Sequence, residues 1–350
     1  MALRADNAYL NARVSVLAAH LLKPADIEHL GNLHLDDLIA RFGLAALADE
    51  GLPPGTRLRA VEAALLQTLL SELTRLVRPM YGEARDLVIH WARKFELFNL
   101  KALIRGKLND LPEAEIQASL HDLPPFLTLP HQTLLRTESV LELLRQLEEG
   151  PYRAIASQAR QVFEERHESF ALDAAIDQRY YAGLAKRVRQ LAGDDRQETL
   201  KVIGLHLDRI NLMWMLRYRF SYQLSPSETY FQLAPSPLQL NRERLLHLVN
   251  LGSEEQLLAN LPEPLRQLLE DAPDTMEVER RVHALMSQRL RASLAHSTSP
   301  VARALAYLIL RDLDLKRVFS VVQARLLTLD GGLLRLALGL AGTGTQDLGH

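Results

Sequence analysis

Residues 96–108 read Glu96-Leu97-Phe98-Asn99-Leu100-Lys101-Ala102-Leu103-Ile104-Arg105-Gly106-Lys107-Leu108. Residues 208–220 read Asp208-Arg209-Ile210-Asn211-Leu212-Met213-Trp214-Met215-Leu216-Arg217-Tyr218-Arg219-Phe220. An acid, an asparagine three residues later, apolar positions, an arginine and a second base recur in the same order. A third copy, Asp314-Leu315-Lys316-Arg317-Val318-Phe319-Ser320-Val321-Val322-Gln323-Ala324-Arg325-Leu326, keeps the acid, the apolar positions and the last base. It carries Arg317 in place of the asparagine and Gln323 in place of the first arginine. The acids lie 112 and 106 residues apart (208 − 96 and 314 − 208).

Upstream of each copy, residues 21–42, 126–147 and 238–261 each read as a short helix, a turn and a second short helix. A period above one hundred residues is too long for a one-layer solenoid, whose units run roughly 20–50 residues. It predicts three small helical domains, over 1–115, 116–227 and 228–350. The 350-residue length suits two or three domains and a substantial buried core.

The rest of the chain supports an all-α fold. Glycine and proline are sparse, 17 and 16, and they cluster into breaks: 51–55, Leu111-Pro112, Leu123-Pro124-Pro125, Gly150-Pro151, Gly193, 234–237, Pro262 to Pro273 and Ser297 to Pro300. Between them leucine, alanine, arginine, glutamate and glutamine dominate, all good helix formers. Apolar residues fall at three- and four-residue spacing, as in Leu135, Val140, Leu143, Leu144 and Leu147. Thr137 or Ser139 can cap the helix that starts near Val140, and Ser253 the one that starts at Glu254-Glu255-Gln256. No run alternates as a strand would.

Composition sets bounds on function. Hydrophobic residues are 47%, charged residues 24% and net charge −2, so nothing draws the chain to nucleic acid or anionic lipid. The absence of cysteine excludes disulfides and thiolate metal sites. No stretch of about 18 uncharged apolar residues occurs. The expectation is a soluble chain able to sit on a membrane complex.

The repeated helices are apolar nearly all round, so their polar residues are candidates for a role. Glu96 and Asn99, or Asp208 and Asn211, share a helix face. Arg105 and Arg217 lie nine residues on, about 13–14 Å along the axis, too far to pair with those acids in the same helix. Two readings stand. The polar residues lock helices together within each unit, or they present acids and bases to a partner. The candidate partner-binding residues are Glu96, Asn99, Arg105, Asp208, Asn211, Arg217 and Asp314. Tyr180 and Tyr181 read as core, with an interface role as the alternative.

Motifs for chemistry do not assemble. Glu164-Glu165-Arg166-His167 contains Glu-x-x-His, but di-iron bundles need a second such pair and further carboxylates. Asp194-Asp195-Arg196-Gln197-Glu198 loosely matches the magnesium motif of helical prenyl-transferring enzymes, without a second acidic motif. No Gly-rich phosphate loop or nucleophile elbow is present. The expectation is no catalytic residue, no cofactor and no metal.

The ordered set of motifs resembles the C subunits of the V/A-type rotary ATPases and ATP synthases, counterparts of the d subunit of the vacuolar enzyme. It comprises Tyr9-Leu10-Asn11-Ala12-Arg13-Val14, Glu96-x-x-Asn99-Leu100 with Arg105-Gly106-Lys107-Leu108, residues 172–181, Asp208-x-x-Asn211-Leu212 with Arg217-Tyr218-Arg219, and Arg311-Asp312-Leu313-Asp314-Leu315-Lys316-Arg317. The resemblance implies three pseudo-equivalent helical domains arranged as a funnel. It implies a non-catalytic rotor part on the cytoplasmic face of a membrane complex, with the central axle and the proteolipid ring as partners. Arg317 and Gln323 depart from that pattern and set the third copy apart. A helical scaffold with other partners is the alternative, and a metal-dependent transferase the third reading.

Overall fold

A computed structural model describes residues 2–340 except 50, 128, 167 and 330. Among the described residues every regular element is a helix and there is no strand, as the composition requires. The chain divides into two compact units. One combines residues 1–79 with 271–350, and the other is continuous over 80–270.

In the first unit the helix Pro300–Leu326 is the hub. It is opened by a proline in its first turn and capped by Ser299, whose hydroxyl accepts from the Ala302 amide. Val301, Leu305, Tyr307, Leu308, Leu310, Val318 and Val321 are all buried, so the helix is enclosed on most sides. Ala2–Ala18, Pro54–Val77 and Thr275–His296 pack around it, with the short helices Pro24–Leu30 and Leu35–Phe42 alongside. Leu35–Phe42 stops at Gly43, whose φ of 66° is the left-handed cap that glycine adopts without a Cβ penalty. Leu338, just beyond the helix Gly331–Ala337, is buried close to Gly31.

This core holds one buried charge network. Glu72 accepts from the Tyr307 hydroxyl (2.7 Å) and from Nε and Nη2 of Arg311 (3.0 and 3.2 Å), and His20 Nδ1 lies 3.3 Å away. Arg311 spends its remaining nitrogen on the His20 carbonyl (3.0 Å). The two-pronged guanidinium geometry and the phenol together satisfy a carboxylate that would otherwise be costly to bury.

The second unit is built on the helix Gly82–Leu108, which packs against Ser169–Gln190. That helix in turn packs on Arg153–Arg166 and Gly193–Met215. Glycine decides one crossing: a Cβ on Gly183 would stand 2.6 Å from Nε2 of His90. The imidazole donates from Nε2 to the Tyr180 carbonyl (3.0 Å), and the Tyr180 hydroxyl donates to the Trp91 carbonyl (2.7 Å). Burial, with Arg187 nearby, pushes His90 down to about 3, so it packs as a neutral ring at neutral pH. Tyr180 is core, as its sequence context suggests; Tyr181 is half-buried.

The paired short helices expected from the sequence are present: Pro24–Leu30 with Leu35–Phe42, His131–Leu135 with Val140–Leu147, and Arg242–Val249 with Glu254–Ala259. Ser139 and Ser253 cap as expected, accepting from the amides of Glu142 and Gln256. Thr137 instead donates to the Leu134 carbonyl.

The Glu72–Arg311 network makes a thermodynamic prediction. Glu72→Leu alone strands a buried guanidinium and is expected to cost about 3–5 kcal/mol in urea unfolding. Glu72→Leu with Arg311→Leu removes both charges and is expected to recover most of that loss. A double variant no more stable than the single would show that the pair itself is not the issue.

Candidate functional site

The three repeated acids do the same thing. Each is buried, no more than 2% exposed, and each accepts the backbone amide of a buried leucine. Glu96 takes Leu129 (2.7 Å), Asp208 takes Leu240 (2.8 Å) and Asp314 takes Leu22 (2.8 Å). In every case that leucine stands two residues before the first short helix of a pair: His131–Leu135, Arg242–Val249 and Pro24–Leu30. The carboxylate therefore fixes the point where the chain enters the short helix, at the positive end of its dipole.

The last base of each copy holds the other end. Lys107 donates to the carbonyls of Leu135 (2.9 Å) and Thr137, Arg219 to those of Val249 (2.9 Å) and Leu251 (3.4 Å), and Arg325 to those of Gly31 and Leu33 (3.3 Å to Leu33). These carbonyls lie at or just past the C-terminus of the same short helix, where a cation is favoured. Acid and base are 11 residues apart in all three copies (107 − 96, 219 − 208, 325 − 314). Eleven residues make three helical turns to within about 20°, roughly 16 Å along one face. Each long helix thus carries a two-ended clamp, and the short helix lies along it in the same direction.

In the second copy the long helix passes into a wide π turn over Leu216–Ser221, which contains the clamping Arg219. Arg219 also reaches the Leu224 carbonyl (2.9 Å), so it ties down the exit from that turn.

The asparagines make a second, tighter bond pair. Asn99 donates from Nδ2 to the His121 carbonyl (2.9 Å) and accepts the His121 amide at Oδ1 (2.8 Å). Asn211 does the same to Ala234 (2.7 and 3.0 Å). Both partners lie in non-helical chain six to eight residues before the clamped leucine, where the backbone has no ladder of its own. An amide side chain carries a donor and an acceptor side by side and so satisfies a free N–H and C=O of one residue together. In the third copy the residues six to eight before Leu22 belong to the helix Ala2–Ala18, whose backbone bonds internally. An asparagine there would have nothing to hold. Arg317 occupies the position and instead donates to Oδ1 of Asp314 (2.9 Å), filling the carboxylate's second oxygen.

The clamps also show which copy owns which short helices. The first two long helices grip the pair that follows them in sequence, and the third grips the first pair. Sequence repeat and packing are therefore out of phase.

Of the seven candidate residues, Glu96, Asn99, Asp208, Asn211 and Asp314 are consumed inside the fold in this way. Arg105 and Arg217 are exposed. Arg105 lies 3.4 Å from Asp173, beside the Lys101–Asp177 pair (2.6 Å) across the same two helices. Sequence reasoning missed Lys107, Arg219 and Arg325 as the second jaw. Their signal was the fixed spacing of 11 from the acid and the fact that this base survives in every copy.

Burial raises the pKa of Asp208 and of Asp314 above the ordinary 3.8, and the donated amides of Leu240 and Leu22 offset part of that. Burial also pushes the Tyr152 phenol up, with Glu96 adding to it.

Among the described residues no group of three or more histidines, aspartates or glutamates could hold a metal ion. Glu164 pairs with Arg160 (3.1 Å) on an exposed face, and the His167 of its motif lies outside the described residues. Asp194 and Asp195 sit in the first turn of Gly193–Met215, whose cap position is Ala192. No helix among the described residues is long and apolar enough to cross a membrane.

Residues 10–331 match the family model described as the ATP synthase (C/AC39) subunit. Similar proteins include the C subunit of the A-type ATP synthase of Methanocaldococcus jannaschii, 22% identical over 92% of this chain and 83% of that protein. The C subunit of the V-type ATP synthase of Thermus thermophilus is 29% identical over 59% of this chain and 61% of its own length. The corresponding A-type protein of Methanosarcina barkeri is 26% identical over 53% of this chain, a match that spans about half of that relative's length.

One consequence is measurable. Asp208 Oδ2 also accepts the Gln239 amide (3.3 Å), so Asp208→Asn keeps an oxygen for Leu240 but sets an NH2 against the Gln239 N–H, and is expected to cost about 1–3 kcal/mol in unfolding experiments. A carboxyl whose folded value is raised favours the native state most below 3.8 and loses that contribution as pH rises through the folded value. The cost of the substitution is therefore expected to be largest below pH 3.8 and to shrink above it. A cost that grows with pH over that window would contradict the clamp's electrostatics.

Proposed function

Because the chain belongs to the ATP synthase (C/AC39) subunit family, we propose that it is a non-catalytic rotor part of an A/V-type ATPase. In this reading it couples the central axle to the membrane proteolipid ring, on the cytoplasmic face, and passes torque between them. The complex's ion transport and its ATP synthesis or hydrolysis then take place on other subunits. The match over residues 10–331 carries this reading.

The physics of the fold supports it. A torque-bearing part needs stiffness and broad interfaces rather than a titratable centre. Here the groups that enzymes use for chemistry are fixed as paired jaws on enclosed helices, and a close-packed interior resists deformation. Three pseudo-equivalent sectors, each a long helix with the short pair it clamps, would set out a funnel around the axle. Arg105 and Arg217 lie at the same step of successive copies and are exposed. They are the two candidates of the seven still available to a partner, and acidic side chains are the complement they fit.

The test is co-purification of the tagged full-length chain with axle and ring proteins from its native membranes. Recovery of both is expected, and recovery with neither would overturn the reading. Charge reversal at both Arg105 and Arg217 is expected to leave the helical circular dichroism intact and weaken axle binding at least tenfold; undiminished binding would remove these arginines from the grip.

A further inference from the structure

The three clamps are alike in chemistry and unlike in connectivity. The first joins residues 33 apart, the second 32 apart and the third 292 apart. The first two close local loops. The third joins opposite parts of the chain, and everything that holds residues 1–79 within their unit is a contact with residues beyond 270 or among themselves.

Arginines concentrate at that junction. Besides Arg311 and the clamping Arg325, Arg291 donates to the Leu22 carbonyl (2.7 Å) and Arg303 to Asn11 Oδ1 (2.6 Å) and Ser15 Oγ (2.9 Å). All four reach from the helices Thr275–His296 and Pro300–Leu326 into the first 79 residues. Directed, multi-pronged polar ties of this kind are what an interface between separate chains uses in place of covalent proximity. Closing so long a loop also carries a larger entropic cost than closing a short one.

We infer that this unit is a clasp: residues 1–79 dock on the last two long helices as a separable segment, and the protein opens there before it opens anywhere in residues 80–270. The segment's released surface would also accept the same helices of a second copy, which makes this the route to a segment-exchanged dimer. The inference rests on contacts within one unit and is independent of the rotor reading.

Hydrogen exchange on the full-length chain tests it. Amides of Pro54–Val77 are expected to exchange through an opening that leaves Gly82–Leu108 protected. Arg303→Gln, which removes the ties to Asn11 and Ser15, is expected to raise the population of that opening roughly tenfold. The same variant is expected to leave Gly82–Leu108 unchanged. Exchange of both helices in a single shared event, or equal acceleration of both by the variant, would overturn the clasp. A protease site inserted into the turn at residues 78–82 gives a second reading. After cleavage the first segment is expected to stay bound on gel filtration and to swap with labelled segment from another cleaved sample. Unfolding of the whole chain on cleavage would also overturn the inference.

Discussion

A buried carboxylate that accepts one backbone amide is the constraint on which the rest of the structure depends. A leucine amide at the entrance to a short helix has no helical partner, and a carboxylate deep in an apolar helix has no water. Each offsets part of the other's penalty, and a hydrogen bond to a charged group contributes about 1.5–3 kcal/mol. The bond also fixes register, because the acid lies at one defined height on its helix. With the base three turns on, the short helix is held at both ends and cannot slide or rotate. The leucine that donates the amide is itself buried, so the polar bond and the apolar contact select the same arrangement.

Much of this was legible in the sequence. The three-copy repeat, the paired short helices and the caps at Ser139 and Ser253 follow from spacing and residue type. The identity of the acids' partners did not. A backbone amide has no residue signature, so Leu129, Leu240 and Leu22 could not be singled out among the many leucines. The loss of asparagine at Arg317 read only as a departure that sets the third copy apart. It is a substitution matched to a helix, Ala2–Ala18, where the other copies have non-helical chain, and that match depends on a contact nearly three hundred residues away. The bases at 107, 219 and 325 were visible as a constant spacing, but their task required knowing where a helix ends against them.

Acids, asparagines and arginines in ordered spacing are the vocabulary of active sites and of partner-binding faces alike. Burial separates the uses. Groups enclosed at 2% exposure or less and bonded to backbone face inward, whereas Arg105 and Arg217 stand at the surface. Their spacing within the repeat is as regular as that of the clamps, so regularity alone does not distinguish a fastener from a grip. The third copy, with Gln323 at that step, lacks the cation and offers any partner a different chemistry at one position in three.

The out-of-phase packing also orders events in time. Synthesis runs from the N-terminal side, and Leu22 meets Asp314 only after 292 more residues have been added. At about 5–20 residues per second that interval is roughly 15–60 s. The middle of the chain can settle as it appears, since its clamps close within about 33 residues. The first segment meanwhile carries buried-to-be leucines with nothing to cover them. Residues 1–79 are made long before the helices that cover them, and the nascent chain's exposure to chaperones and to neighbouring copies is concentrated there.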